Sequence, residues 1–245
     1  MHSGTFMVIA VLFLAAFSGS AQEPGLQELF MRGNIAYGNG DYTGAEASYR
    51  GILKAARSAE VHYNLGNALA QQGKWSEAAY HYMRAHALNP NLEAASANLL
   101  LAAERLGLAK QFPKLPGPAR LMSEKQWALL AAAAFWAALL VFFHIDFVRF
   151  RLPLRRTVSG LSFGLFLVCL LALVQHELFE EWSVVSTPMA TLRVAPTEQS
   201  PGESMLIEGE PIRILGEQKG FFHVMTPRGD EGFILHREVF AGGQD

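Results

Sequence analysis

The chain has 245 residues and carries 20 Lys and Arg against 22 Asp and Glu, a formal net charge of −2. So even a balance argues against global attraction to nucleic acid, and the single cysteine, Cys169, excludes an intrachain disulfide and a cysteine metal cage. Apolar residues make up 51% of the chain, high for a soluble protein of moderate charge, so part of that surface is expected to face lipid.

The first element is a mostly apolar run from Phe6 to Phe17, followed by Ser18-Gly19-Ser20-Ala21, small side chains that suit a signal peptidase. Residues 1–21 therefore read as a signal peptide. The start of the chain lacks the usual Lys or Arg, so an uncleaved anchor stays the alternative. No cysteine follows the run, and lipoprotein processing has no acceptor.

Between Ala59 and Pro90 the chain reads AEVHYNLGNALAQQGKWSEAAYHYMRAHALNP. Two short helices can pack antiparallel here because Gly66 and Ala78 leave room at the crossing, while Leu65, Tyr82 and Ala85 fill the contact. Gly73 is expected to end the first helix and Pro90 to follow the second. A shift of 33 residues superimposes Gly33, Gly40, Tyr42, Ala45 and Tyr49 on Gly66, Gly73, Trp75, Ala78 and Tyr82. The spacing resembles the tetratricopeptide repeat (TPR), a binding scaffold of stacked helical hairpins. After Pro90, Asn98 and Leu99 stand where Asn64 and Leu65 stood, so a third helix opens a further unit and then stops as a cap. Residues 22–108 are thus expected to form two repeats plus a capping helix.

The candidate partner-binding groove comprises Asn34, Tyr37, Tyr63, Asn64 and Asn67. Some TPR domains clamp a peptide carboxylate with two asparagines and several basic side chains, and Asn34 and Asn64 match the asparagines. Phe30, Ala94 and Asn98 occupy the positions that would need Lys or Arg. Without charge-assisted donors a carboxylate gains little, so the expectation is a neutral groove for an extended or helical segment. The competing reading of these asparagines is helix-turn packing.

Residues 109–124 form a linker. The run WALLAAAAFWAALLVFF, from Trp127 to Phe143, is uncharged, and continuation to Val148 gives it the ~20 residues that a bilayer requires. Ser123 and Gln126 are spaced as a cap for this helix. A second run, Val158 to Val174, extends toward Phe179 and is uncharged until Glu177. Two membrane helices are expected, 125–148 and 158–179, joined by a basic turn at 149–157 that holds Arg149, Arg151, Arg155 and Arg156. Four arginines place that turn in the cytoplasm, and the remainder outside. Lys110, Lys114, Arg120 and Lys125 before the first run pull the other way, but export of a long N-terminal domain depends weakly on loop charge. Gly160 with Gly164 and Ala133 with Ala137 are candidate close-approach steps between the helices.

From residue 182 to 245 short alternating runs are broken by Gly, Pro and charged turns, the pattern of a small β-barrel. Leu192, Arg193 and Pro196; Gly209 with Ile212 and Ile214; Phe221, Phe222 and Val224; and Gly232, Phe233 and Ile234 resemble the elements of a bacterial SH3 domain. Phe221 and Phe233 stand where such domains usually carry tryptophan. The fold class expected is therefore multidomain, α plus β: TPR hairpins, a two-helix transmembrane hairpin and an SH3-like barrel.

This order of segments resembles the BatE family, exported TPR proteins of bacterial aerotolerance operons. The resemblance implies a scaffold working with von Willebrand A-domain Bat membrane proteins and a cytosolic MoxR-type ATPase in envelope stress tolerance. The signal peptide, the two apolar runs and the arginine turn lead to the expectation of a multi-pass inner-membrane protein with both terminal domains on the periplasmic side. Cell-wall binding, through peptidoglycan peptides on the SH3-like domain, is the alternative. No catalytic, cofactor or metal residues are expected: His62, His81, His86, His176, His223 and His236 fall in separate modules without acidic partners at ligand spacing, and neither a phosphate loop nor a nucleophile elbow occurs.

Overall fold

The structure is a computed structural model that describes residues 24–113, 121–143, 152–180 and 182–240. The signal-peptide reading, the middle of the linker and the Arg149 and Arg151 portion of the basic turn lie outside the described residues.

Five helices open the described chain: α1 (Pro24–Gly38), α2 (Tyr42–Leu53), α3 (Ala59–Gln71), α4 (Trp75–Leu88) and α5 (Glu93–Arg105). Pro24 opens α1, where its missing N–H costs nothing. Asp41 caps α2 by accepting from the Gly44 amide at 2.9 Å, and Ser58 caps α3. Gly40 and Gly73, with φ of +79° and +77°, end the first helix of each hairpin in the left-handed region that glycine tolerates. Each helix packs on the next in sequence. The core between them holds Ala45, Tyr49, Leu65, Leu69, Ala78 and Tyr82. A Cβ on Gly33 would lie 2.6 Å from the Tyr49 ring, and one on Gly66 would lie 2.7 Å from the Tyr82 ring. The glycines thus make room for an aromatic ring sixteen residues further on, in both repeats.

Next come α6 (Glu124–Phe143) and α7 (Leu152–Glu180). The Gln126 side chain accepts from the Ser123 amide at 2.9 Å, half of a capping box. Because α7 begins at Leu152, Arg155 and Arg156, read in the sequence as part of a turn, lie on its first turns; Pro153 is tolerated there because the first helical amides have no intrahelical partner. Trp127 and Ala131 near the start of α6 pack with Cys169 and Ala172 near the end of α7, so the helices run antiparallel. Phe135 meets Phe166 at 5.8 Å between ring centroids. This seam differs from the expected one: Gly160 and Gly164 face open space, and Ala133 and Ala137 are exposed. Ala131, Ala134, Cys169 and Ala172 supply the small buried side chains instead. Among the described residues, one helical stretch, Thr157–Gln175, meets the length and hydropathy needed to cross a membrane, and only 11% of it is buried. The first expected span, 125–148, runs past the described residues, and among the described residues the expected two-helix transmembrane hairpin is not supported, because only this one helix qualifies.

The chain ends in an antiparallel sheet of seven strands: β1 (Trp182–Val185), β2 (Met189–Arg193), β3 (Gly202–Ile207), β4 (Pro211–Gln218), β5 (Phe221–Met225), β6 (Glu231–Leu235) and β7 (Val239–Phe240). Their spatial order is β3-β2-β6-β5-β4-β1-β7. Alternation sends Ala190, Leu192, Leu206, Ile212, Val224 and Ile234 into one core. The edge carrying β1 and β7 docks on α4. Val184 belongs to the helical core rather than the sheet's own, and Trp182 and Phe240 pack against that same helical core. Tyr80 stacks on Phe240 at 6.2 Å, and the Ser76 hydroxyl donates to Glu208 at 2.9 Å.

Candidate functional site

The first helix of each helical unit, α1, α3 and α5, carries the asparagines, and their amides join into a ladder. Asn34 Oδ1 accepts from the Tyr49 hydroxyl at 2.8 Å and from Asn64 Nδ2 at 3.3 Å. Asn67 Oδ1 repeats this, accepting from the Tyr82 hydroxyl at 2.8 Å and from Asn98 Nδ2 at 2.9 Å. The repeat counterpart of Asn34 is thus Asn67, 33 residues on, while Asn64 and Asn98 bridge from the next unit. Burial pushes both phenols up, Tyr49 to about 12, so each hydroxyl stays a donor at neutral pH. The ladder ties neighbouring repeats and leaves the amide nitrogens of Asn34 and Asn67 as donors that it does not use.

Of the five expected groove residues, the structure brings Asn34 and Asn64 together directly and sets Asn67 one repeat along with Asn98. Tyr37 packs edge-on against Tyr42 at 5.3 Å, and Tyr63 lies 6.1 Å from Tyr82, so both rings are partly occupied by their own hairpin. Phe30 makes the equivalent contact with Tyr49 at 6.3 Å. Asparagine positions read either as ligand anchors or as helix packing therefore serve the packing through Oδ1.

Other side chains on these helices are open. Met31 is 57% exposed on α1, one helical turn before Asn34, whereas Ile35, 64% exposed, is the counterpart of the fully buried Ala68 and lies at the open end of the stack. Leu101, 45% exposed, stands one turn beyond Asn98 on α5. Sequence reasoning passed over them because single apolar residues on a helix carry no motif; their exposure becomes visible only when the hairpins stack. The surface is consequently an amide floor flanked by apolar side chains. Such a surface can hold a helical or extended segment through main-chain amides and side-chain burial.

On the opposite side of the repeats Glu46 accepts from Arg50 Nε at 3.0 Å, Gln72 at 2.8 Å and Lys74 at 2.8 Å, and Arg50 also pairs with Glu77. Burial acts to raise the Glu46 carboxyl, yet hydrogen bonds from Lys74, Gln72 and Arg50 hold it below the usual carboxylate range. The network locks α2 to the α3–α4 turn and to α4.

Another feature absent from the sequence reading is a buried histidine pair. His62 Nδ1 and His81 Nδ1 lie 3.0 Å apart, with stacked rings, between α3 and α4. Among the described residues, no group of three or more His, Cys, Asp or Glu is placed to hold a metal ion.

The tetratricopeptide repeat family model matches residues 30–93, covering α2, α3 and α4 together with the end of α1 and the first residue of α5. No curated protein matches the chain. The chain thus contains tetratricopeptide repeats, which mediate protein–protein interaction.

Proposed function

We propose that this TPR-containing chain is a non-catalytic scaffold of the bacterial envelope, anchored by the α6–α7 hairpin and presenting the repeats and the sheet outside the inner membrane. The observation that carries this reading is the surface of α1, α3 and α5, where Met31 and Leu101 stay exposed one helical turn from the asparagines of the amide ladder. Apolar side chains held open beside a rigid polar floor suit a protein ligand better than a small molecule. The uncharged runs of α6 and α7 support the anchor. The BatE resemblance supplies the partner class: integral membrane von Willebrand A-domain Bat proteins, within a Bat/MoxR-type stress-tolerance complex.

The sheet, read as SH3-like, serves as a support for the repeats in this proposal. Recognition of peptidoglycan peptides is the competing reading, and the aromatic residues speak against it. Phe221 is only 5% exposed, and Phe233 stacks on His223 at 4.8 Å, so the rings that would line a ligand groove are engaged internally.

Affinity capture of the full-length protein from detergent-solubilised membranes tests the scaffold. Capture is expected to return integral membrane partners and to lose them in a Met31→Glu variant, whose site is exposed. Partner-free capture by the wild type, together with retention of the protein on purified sacculi, would favour the wall-binding reading instead.

A further inference from the structure

A cavity of about 430 Å³ lies where the α2–α3 loop and the end of α4 meet the head of α6. That volume falls within the ~300–1,000 Å³ of small-ligand clefts. Its lining brings two cations, Arg57 and Lys125, together with two carboxylates, Glu60 and Glu124. The uncharged run of α6 starts at Trp127, immediately after the lining residue Gln126. If α6 enters a bilayer, the cavity therefore sits at the depth of the headgroups.

A second observation concerns access: Arg57, Glu60, Glu124 and Lys125 are all exposed residues, open to a ligand that arrives from solution or from a bilayer surface.

We propose that this cavity binds the phosphoethanolamine headgroup of a membrane lipid, the phosphate held by Arg57 and Lys125 and the ammonium by Glu60 and Glu124. The proposal rests on reading α6 and α7 as membrane helices. The equal count of opposite charges selects the headgroup. A purely anionic lipid leaves two carboxylates opposed to its charge. A choline headgroup has no N–H to donate to them, whereas a primary ammonium offers three donors. Arg57 presents a guanidinium fork suited to phosphate oxygens. One of the two Glu60 oxygens already accepts from the Ser58 hydroxyl at 2.9 Å, which orients the carboxylate for the other to serve the ammonium.

The test is native mass spectrometry on the full-length, delipidated protein in detergent, titrated separately with phosphatidylethanolamine, phosphatidylcholine, phosphatidylglycerol and soluble glycerophosphoethanolamine. Phosphatidylethanolamine should be retained about tenfold better than the other two lipids, and the soluble headgroup should bind far more weakly. Arg57→Ala combined with Lys125→Ala, both at exposed positions, should abolish that preference while the circular-dichroism spectrum shows the protein still folded. Equal retention of all three lipids, a preference that survives the double variant, or binding of the soluble headgroup as tight as that of the lipid would overturn the proposal. Carbonate extraction of native membranes separates the premises: release of the chain removes the anchor reading and the lipid site together, whereas a membrane-retained chain without preference removes the lipid site alone.

Discussion

His62 and His81 show how a single pair of side chains can set a pH limit on the repeats. Burial drives the His62 pKa down to about 3, with Arg84 and Arg57 adding repulsion. Burial likewise holds His81 well below its ordinary range, helped by His62, Arg50 and Arg84. Both rings are therefore neutral in the folded chain, where one can donate to the other across the 3.0 Å contact. The unfolded chain takes up protons near pH 6.5 that the folded chain refuses. Stability from this source is complete above pH 6.5 and falls as pH drops toward 3, by about 1.4 kcal/mol per pH unit for each histidine. Denaturant titrations at pH 7.5 and 5 should show the wild type losing roughly 2 kcal/mol more than His81→Leu, which keeps an apolar side chain at the site. An identical pH dependence in the variant would remove the pair as its source. The sequence showed the histidines but not their meeting: they are nineteen residues apart on different helices, and only the crossing of α3 and α4 stacks them. Gly66 and Tyr82, by contrast, were legible because a repeat must solve the same close approach twice, and the shifted pair Gly33 and Tyr49 records the second solution.

At the scale of elements, the informative contact is the edge of the sheet on α4. Val184 is completely buried, and it lies in the helical core, so α4 covers its side of β1. Alternation along β1 made its strand character visible in the sequence, but a buried position reads the same whether a sheet or a helix covers it. The expectation of separate modules followed from that ambiguity. Stacked repeats of this number are near the lower limit of independent stability, and the sheet edge supplies further apolar cover at their flank. Val184→Asp places a charge without a partner in that seam, at a cost of several kcal/mol. The wild-type repeats and sheet should melt as one calorimetric transition, and the variant should separate them into two. A single transition at an unchanged midpoint in the variant would show that the docking contributes nothing. The amide ladder belongs to this scale as well. The sequence paired Asn34 with Asn64; that Asn67 is the repeat counterpart of Asn34, with matching bonds to Tyr49 and Tyr82, required the partner helix of each hairpin to be in place.

For the whole molecule, the seam between repeats and sheet constrains how the chain can cross a membrane. The repeats precede α6, the sheet follows α7, and the two meet through Val184 and the Tyr80–Phe240 stack. A hydrocarbon layer of ~30 Å cannot separate surfaces in contact. If the anchor reading holds, an even number of crossings lies between them, which agrees with two antiparallel helices and disagrees with a single span at Thr157–Gln175 acting alone. Cysteine labelling reads this directly. In a Cys169→Ala background, which keeps a small side chain at a fully buried position, Gln71→Cys and Gln218→Cys place thiols on exposed parts of the repeats and the sheet. Arg151→Cys places one between the two apolar runs. With intact spheroplasts, a membrane-impermeant maleimide should label positions 71 and 218 to similar extents and leave 151 unlabelled until the membrane is permeabilised. Labelling of only one of the two terminal modules would break the hairpin topology, because the seam could then form only in another molecule. Labelling of all three without permeabilisation would remove the membrane crossing itself. With the two modules on one side and the seam closed, the surface formed by α1, α3 and α5 is held at a fixed orientation to the bilayer, which suits a partner that is itself embedded in the same membrane.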